Sequence, residues 1–303
     1  MVHPSLRLYN DLYEACDNAP LYAAPWWLDA TCGEGRWETV SINDENNTPS
    51  IVIPFFKTQI RGLSAIITPP MTQWLPVLNT SHKEDYSIVD FLQSIPTCSI
   101  LDLAMKPGMH PVLPDPSFHV NYKYSYIIPT PDANVPFRSN YNEGLRRNLR
   151  DAEKKYQIEV TDDVPTFLKL CHSSYGYRKM SPPRWLDDIL PRVVAVLAKN
   201  NSGLIHIAKY EGKAIAGILT GWDKKTTYYL FGGRGGDEQA ASAHALLLDH
   251  AISEAQGRGH KFDFEGSMHP GIANFFQSFG ATPENFWQIR KFKGLGKLWS
   301  LFH

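Results

Sequence analysis

The sequence predicts an α/β fold with a mixed sheet, built as two domains of one plan. Three observations carry that prediction. Residues 226–281 read as strand, glycine-rich turn, helix, strand and short helix, which is one β-α-β unit. A strand pair at 204–222 repeats the plan of a pair at 37–56, and Leu101-Asp102-Leu103 repeats Phe262-Asp263-Phe264. Pro129, Pro131 and Pro136 punctuate a joint near residue 132, and a chain of 303 residues suits two domains better than one.

Taken in order, residues 1–30 read as short helices around an apolar knot from Leu21 to Leu28, with Trp26 and Trp27 as packing residues. Trp37–Ile42 and Ser50–Phe56 form a hairpin across a polar turn, Asn43 to Asn47. Pro54 pushes the second strand toward an edge or a bulge. Thr68-Pro69-Pro70-Met71-Thr72-Gln73-Trp74 is a rigid loop, either a connection or the wall of a cleft. A helix around Glu84–Ser94 and a strand, Ser99–Ala104, follow. Pro107 to Pro116 lacks regular structure, and Tyr122–Ile128 returns to strand.

In the second half, Asn142–Tyr156 places Leu145, Leu149 and Ala152 on one helical face and Arg146, Arg147, Arg150, Lys154 and Lys155 around the rest. That pattern fits a solvated face or a contact with an anionic ligand. Pro165–Tyr175 and Pro183–Lys199 read as helices, and between them Tyr175, Tyr177 and Arg178 belong to an aromatic, basic loop suited to an acceptor. Leu204–Tyr210 and Ala214–Trp222 pair across Glu211-Gly212-Lys213. Thr226–Phe231 is a strand of β-branched and aromatic residues, ended by four glycines around Arg234. The helix Ser242–Gln256 buries Ala245, Leu248, Ile252 and Ala255, and Gly257 and Gly259 close it. Lys261–Glu265 is strand and Ile272–Phe279 helix, stopped by Gly280. From Trp287 the tail is a strand and then a short basic amphipathic helix with Lys293, Lys297, Leu298, Trp299, Leu301 and Phe302, which packs as core or touches a membrane surface.

A net charge of −1 argues against a surface devoted to nucleic acid, so no DNA partner is expected. Cys16, Cys32, Cys98 and Cys171 show no CxxC spacing, so reduced thiols and no metal are expected. The first 20 residues lack the apolar run of a secretory signal, and no stretch approaches 18 apolar residues. A cytoplasmic address follows, with peripheral membrane contact still open.

YYLFGGRGG, AHALLLDHAI, FDFEGS and GIANFFQSFGA together resemble the catalytic half of GNAT-superfamily acyltransferases. The nearer resemblance is to the branch of Fem-type peptidoglycan aminoacyltransferases and BioF-like acyltransferases. The resemblance implies two tandem GNAT-like (acyl-CoA N-acyltransferase) domains, 1–131 degenerate and 132–303 carrying the donor site. It makes Thr226–Phe231 the fourth strand and Lys261–Glu265 the fifth, with an acyl-pantetheine arm where the two splay and a pyrophosphate on the loop between strand and helix. The R/Q-x-x-G-x-G/A signature is absent; Arg234-Gly235-Gly236 followed by Asp237 and Glu238 is a looser version. The implied activity is N-acyl transfer from an activated donor to an amine, such as a cell-envelope precursor. Acyl-CoA is favoured over aminoacyl-tRNA, since no heptad run supplies the coiled-coil arm common in tRNA users. The alternative is a non-catalytic GNAT-fold module binding a glycan, a lipid precursor or a protein.

Donor-binding candidates are Tyr229, Phe231, Gly232, Gly233, Arg234, Gly235 and Gly236, with Ser242 and His244 on the following helix. Arg146, Arg147, Arg150, Tyr175, Tyr177 and Arg178 are the substrate-binding candidates. For catalysis, Asp263 and Glu265 stand two apart on one strand and therefore share a face, their Cα atoms roughly 6.5–7 Å apart. Two close carboxylates raise one another's pKa, which suits a general base for an attacking amine. His269, just beyond that strand, is a further proton relay candidate. Serine-hydrolase chemistry lacks its G-x-S-x-G elbow.

Overall fold

The computed structural model describes residues 4–43, 49–79, 88–107, 113, 115–132 and 135–296. The chain divides into two compact units, Met1–Lys123 with Asn285–His303, and Tyr124–Glu284. Where the sequence placed a cut after residue 131, this division falls earlier, inside a strand, and gives 285–303 to the first unit. The turn residues 44–47, the helix start at 84–87, most of the segment 108–114, and Lys297, Leu298, Trp299, Leu301 and Phe302 of the tail lie outside the described residues.

The first unit opens with α1 (Pro4–Ala15), a 3₁₀ turn at Leu21–Ala23 and α2 (Pro25–Cys32). Then come β1 (Trp37–Asn43), β2 (Pro49–Ile60), β3 (Leu63–Ile67), β4 (Leu78–Asn79), α3 (Ile88–Ser94), β5 (Ile100–Met105) and the first half of β6 (His119–Ile128), which from Tyr124 on belongs to the second unit. Strand β2 is buried without a break from Ser50 to Phe56 because both its faces are covered. Ile51, Ile53 and Phe55 pack with Phe91 of α3, while Val52 and Phe56 pack with Tyr9 and Leu28 of the N-terminal helices. Pro54 lies in an interior strand, not at an edge: it falls between the β4 pairing at Ile51–Val52 and the β3 pairing that starts at Phe56.

The second unit contains α4 (Glu143–Lys155), β7 (Gln157–Thr161), α5 (Val164–Tyr177), α6 (Leu186–Lys199), β8 (Gly203–Tyr210), β9 (Lys213–Trp222) and β10 (Thr226–Arg234). It ends with α7 (Glu238–Gly257), β11 (Lys261–Asp263), α8 (Pro270–Ser278) and the start of β12 (Thr282–Phe292). Its strands run β7-β8-β9-β10-β11-β6. Ala216 and Ile218 of β9 join the core under α4 and α7. Gly217 between them faces the other way, where a Cβ would sit 2.9 Å from Phe167 of α5. The period of two thus puts α7 and α5 on opposite sheet faces. Helix α7 buries the expected Ala245, Leu248, Ile252 and Ala255, and Gly259, at φ +75°, closes it through His260 N–H donating to Ala255 O.

The two units repeat one plan. In the first, β1-β2-β3-β5-β12 pair antiparallel, antiparallel, parallel, antiparallel. In the second, β8-β9-β10-β11-β6 pair in that same sequence of senses. Three element bounds differ from expectation in ways that matter below. Strand β10 runs on to Arg234, α7 starts four residues early, and β11 stops at Asp263.

Candidate active site

Strands β10 and β11 pair only over Thr226–Tyr228 and Lys261–Asp263, then part. Beyond Tyr228, β10 stays on β9, with a bulge that leaves Leu230 between the registers of Tyr229 and Phe231. The other strand ends because the chain turns left-handed twice, at Glu265 (φ +58°) and Gly266 (φ +76°). A non-glycine residue in that region costs roughly 1–3 kcal/mol and needs support. Asp263 supplies it, since its Oδ1 accepts the Glu265 N–H at 2.7 Å. Gly266 is required where it stands, because a Cβ there would lie 1.9 Å from Tyr124 O.

Between the parted strands lies a pocket of about 470 Å³. Tyr229–Gly232 and Arg234 line one side and Phe264–Ser267 the other. Ile272, Phe275 and Phe276 of α8 add apolar wall, and Ser174, Tyr175 and Arg178 add polar and cationic groups from the end of α5. Phe264 stacks on Phe276 with ring centroids 4.5 Å apart, which fixes that wall. Phe231 is held edge-on by Trp185 at 5.7 Å.

Tyr229 and His244 form a half-buried pair on this wall, Tyr229 Oη lying 3.1 Å from His244 Nε2. Burial first, then the cations Arg234 and Arg178, push the His244 pKa down to about 3, so the ring is neutral. Burial likewise raises the Tyr229 hydroxyl, which stays protonated. His244 Nδ1 is buried with no hydrogen-bond partner among the described residues. Gly232 makes room for the pair: a Cβ there would stand 2.2 Å from Tyr229 Oη.

The glycine-rich segment differs from an open phosphate loop. Gly232 and Gly233 are strand residues, and Gly233 lets α5 approach, its would-be Cβ 2.3 Å from Cys171 N. Two of the loop amides already have acceptors: Arg234 N–H donates to Ser174 Oγ at 2.7 Å and Gly235 N–H to Ile215 O at 3.0 Å. Asp237 caps α7, its Oδ1 taking the Ala240 N–H at 2.7 Å. Its carboxylate sits on the helix end that would otherwise attract an anion. Gly236 is covered by the Tyr177 ring, with a would-be Cβ 2.3 Å from Cδ2.

Of the remaining candidates, Glu265 lines the pocket and the others stand apart from it. Asp263 and Glu265 do not share a strand face, because the strand ends between them. Asp263 is 3% exposed, hydrogen-bonded by the Ser125 hydroxyl, and its pKa is pushed up to about 6, with burial, not the Glu265 carboxylate, as the leading cause. His269 is exposed and caps α8, its Nδ1 accepting the Gly271 N–H at 3.2 Å. Ser242 is half-buried on α7, outside the lining. Arg146, Arg147 and Arg150 are exposed on α4; Arg147 pairs with Glu143 at 3.3 Å and none of the three lines the pocket. Ser174, Gly266 and Ser125 carry the site's geometry and have no local sequence signature. Ser174 is 60 residues from the strand end that it grips through Arg234 N–H and O.

Residues 138–275 match the family model described as an acetyltransferase (GNAT) domain, which spans every lining residue of the pocket except Phe276. A search of curated proteins returned no match. Among solved structures the chain is similar to FemX, with a TM-score of 0.66 and 12% identity over 94% of this chain and 96% of that one. It is also similar to the C-terminal domain of a putative lysylphosphatidylglycerol synthetase from Agrobacterium fabrum (TM-score 0.58, 11% identity, 97% and 96% covered). L-PGS from Bacillus licheniformis is a third (TM-score 0.55, 10% identity, 95% and 92% covered). Residues 138–275 thus form a GNAT acetyltransferase domain around the pocket, within a Fem-like fold that runs over nearly the whole chain.

Proposed function

We propose that the chain transfers an acyl or aminoacyl group from an activated donor to an amine, with an acyl-CoA thioester as the favoured donor. The parting of β10 and β11 carries this reading. It opens an apolar slot between Tyr229–Gly232 and Phe264–Ser267, wide enough for an acyl-pantetheine end, with Arg178 and Arg234 beside it for the anionic part. The acceptor nitrogen attacks the donor carbonyl, the C–N bond forms and the C–S bond breaks. Glu265 takes the proton that the amine loses, and the protonated Tyr229 hydroxyl, backed by neutral His244, returns one to the leaving thiolate. Phe264 N–H is spent on Tyr126 O at 3.0 Å and Glu265 N–H on Asp263. We therefore place the oxyanion donors on the β10 edge around the Leu230 bulge.

Aminoacyl-tRNA is the second reading, favoured by one observation: Asp237 occupies the helix end where a CoA pyrophosphate would be cradled. A cell-envelope precursor is the acceptor proposed in either case, and either donor puts the reaction in the cytoplasm. No described helix is long and apolar enough to cross a membrane. Isothermal titration with acetyl- and longer acyl-CoAs, beside charged and uncharged tRNA, tests the donor. Saturable acyl-CoA binding followed by thiol release on adding an amine supports the first reading. Binding of charged tRNA alone shifts the assignment to the second, and binding of neither sinks both.

A further inference from the structure

Away from the pocket, the last turns of α7 approach β8 through three side chains with metal-ligand chemistry. His250 and Glu254 stand four apart on α7, so they project from one face, and His206 reaches them from β8. His250 Nε2 lies 3.5 Å from Glu254 Oε1, and His206 Nε2 lies 3.7 Å from Glu254 Oε2. The ligand atoms of all three lie within 4.8 Å of one another. Bonds of 2.0–2.2 Å in a tetrahedral zinc shell separate donor atoms by about 3.3–3.5 Å; the histidines approach different Glu254 oxygens, so the carboxylate must turn one oxygen to both and the three side chains must close in.

His206 is the second observation. It is fully buried, yet its Nδ1 has no hydrogen-bond partner among the described residues, and its Nε2 is 3.3 Å from the Thr220 hydroxyl. Nε2 is the atom that faces Glu254, so a metal there would replace only the 3.3 Å Thr220 contact of a buried imidazole that has few protein partners. The competing cation is Arg258, 3.7 Å from Glu254 Oε2 but seated over the Trp222 ring at 4.2 Å, where it remains held without the carboxylate.

We propose that His206, His250 and Glu254 bind a divalent transition metal, with Zn²⁺ the best match to two imidazoles and one carboxylate. A fourth position is left for solvent. The ion would pin the C-terminal half of α7 to β8, a structural task that does not depend on the identity of the acyl donor. The sequence expectation of no metal rested on cysteine spacing, and these ligands come from a strand and a helix some 44 residues apart (206 to 250).

The test is equilibrium dialysis of the full chain against Zn²⁺, with Co²⁺ absorption as the coordination readout. One ion per chain, a higher thermal midpoint with Zn²⁺, and a tetrahedral Co²⁺ band are expected. His250→Ala and Glu254→Gln, both at part-exposed positions where folding should survive, should each weaken binding at least tenfold and abolish the thermal gain. His206→Ala is left as a third variant because its site is in the core. Failure of the wild type to retain Zn²⁺ at micromolar concentration, or undiminished binding in the first two variants, overturns the proposal.

Discussion

The two units share a five-strand order and part company in the gap after their parallel strands. In the first unit, β3 and β5 pair through Ile67 and Asp102, and the chain then keeps the strands joined. Thr68 N–H donates to Asp102 O at 3.0 Å, Thr68 Oγ1 accepts Ala104 N–H at 2.7 Å, and Leu75 N–H donates to Ala104 O at 2.8 Å. The proline-set loop is thus laid along the edge, and Trp74 is packed against Tyr22 at 5.3 Å. In the second unit, β10 and β11 pair through Tyr228 and Asp263 and then separate around the pocket. The amide that matches Ala104 is Glu265. Its N–H is taken by its own strand's Asp263 instead of by a side chain from across the gap. One acceptor, moved from the opposite strand to the same strand, distinguishes a closed sheet from an open slot. The equivalent aspartates diverge accordingly: Asp102 is paired with Arg290 at 3.1 Å, while Asp263 is buried among Ser125 and backbone.

The largest effect should come from the residue that the open gap exposes. Glu265→Gln keeps the shape and removes the proton acceptor, so turnover should fall on the order of 10²–10⁴-fold with donor affinity unchanged. Steady-state kinetics with direct binding measurements separate the two; wild-type turnover by the variant would falsify the base assignment. Next is the wall itself. Gly266→Ala sets a Cβ against Tyr124 O at a left-handed φ, and it should cost at least about 3 kcal/mol in chemical denaturation. A variant as stable as wild type would mean that the double left-handed turn is not what ends β11.

Asp263 offers a comparison in pH. Its folded pKa, near 6, lies above the unfolded value, so its contribution is fully present below about pH 4 and is lost as pH rises through 6. The shift corresponds to roughly 3 kcal/mol lost at neutral pH. Asp263→Asn still accepts from Ser125 and from Glu265 N–H, so it should be the more stable protein above pH 7 and show a flat profile between pH 4 and 7. Urea midpoints across that range check this. Turnover should persist in the variant; its abolition would move the base from Glu265 to Asp263. In the closed unit, Thr68→Val leaves the Ala104 N–H unpaired and should cost about 1–2 kcal/mol without altering donor binding.

Much of this contrast was legible before the structure and its decisive part was not. Periodicity marks α7, and the repeated strand pairs and Asp-bearing strands mark the duplication, since buried faces impose their period on the sequence. The aromatic, basic stretch at Tyr175 and Arg178 also reached the pocket. Glycine was misleading because one residue type serves two purposes. Gly232 and Gly233 admit neighbouring atoms to a strand, whereas a phosphate loop needs glycines whose amides are unoccupied. The pairing of Asp263 with Glu265 failed because alternation holds only while a strand continues, and nothing local in FDFEGS says where β11 stops. Contacts such as Ser174 with Arg234 leave no pattern at all, being set by packing over 60 residues.

The smallest expected effect decides between donors. Arg146, Arg147 and Arg150 are exposed on α4 and do not line the pocket, so changing all three to Gln should shift stability by under about 0.5 kcal/mol. A CoA ester ends its anionic groups near the slot, where Arg178 and Arg234 stand. Its affinity and salt dependence should therefore be unchanged by the triple variant, while Arg234→Gln weakens it. A tRNA extends well beyond the slot and carries a phosphate at every nucleotide, so a basic helix on the same unit becomes part of its footprint. Its binding should weaken in the triple variant, and the slope of log affinity against log salt should flatten by about 0.7 for each phosphate that no longer meets an arginine. Titrations of wild type and triple variant at three salt concentrations read both quantities. An unchanged slope with charged tRNA removes α4 from the donor footprint and returns its arginines to a solvated face, leaving the open gap between β10 and β11 as the whole of the donor's electrostatic site.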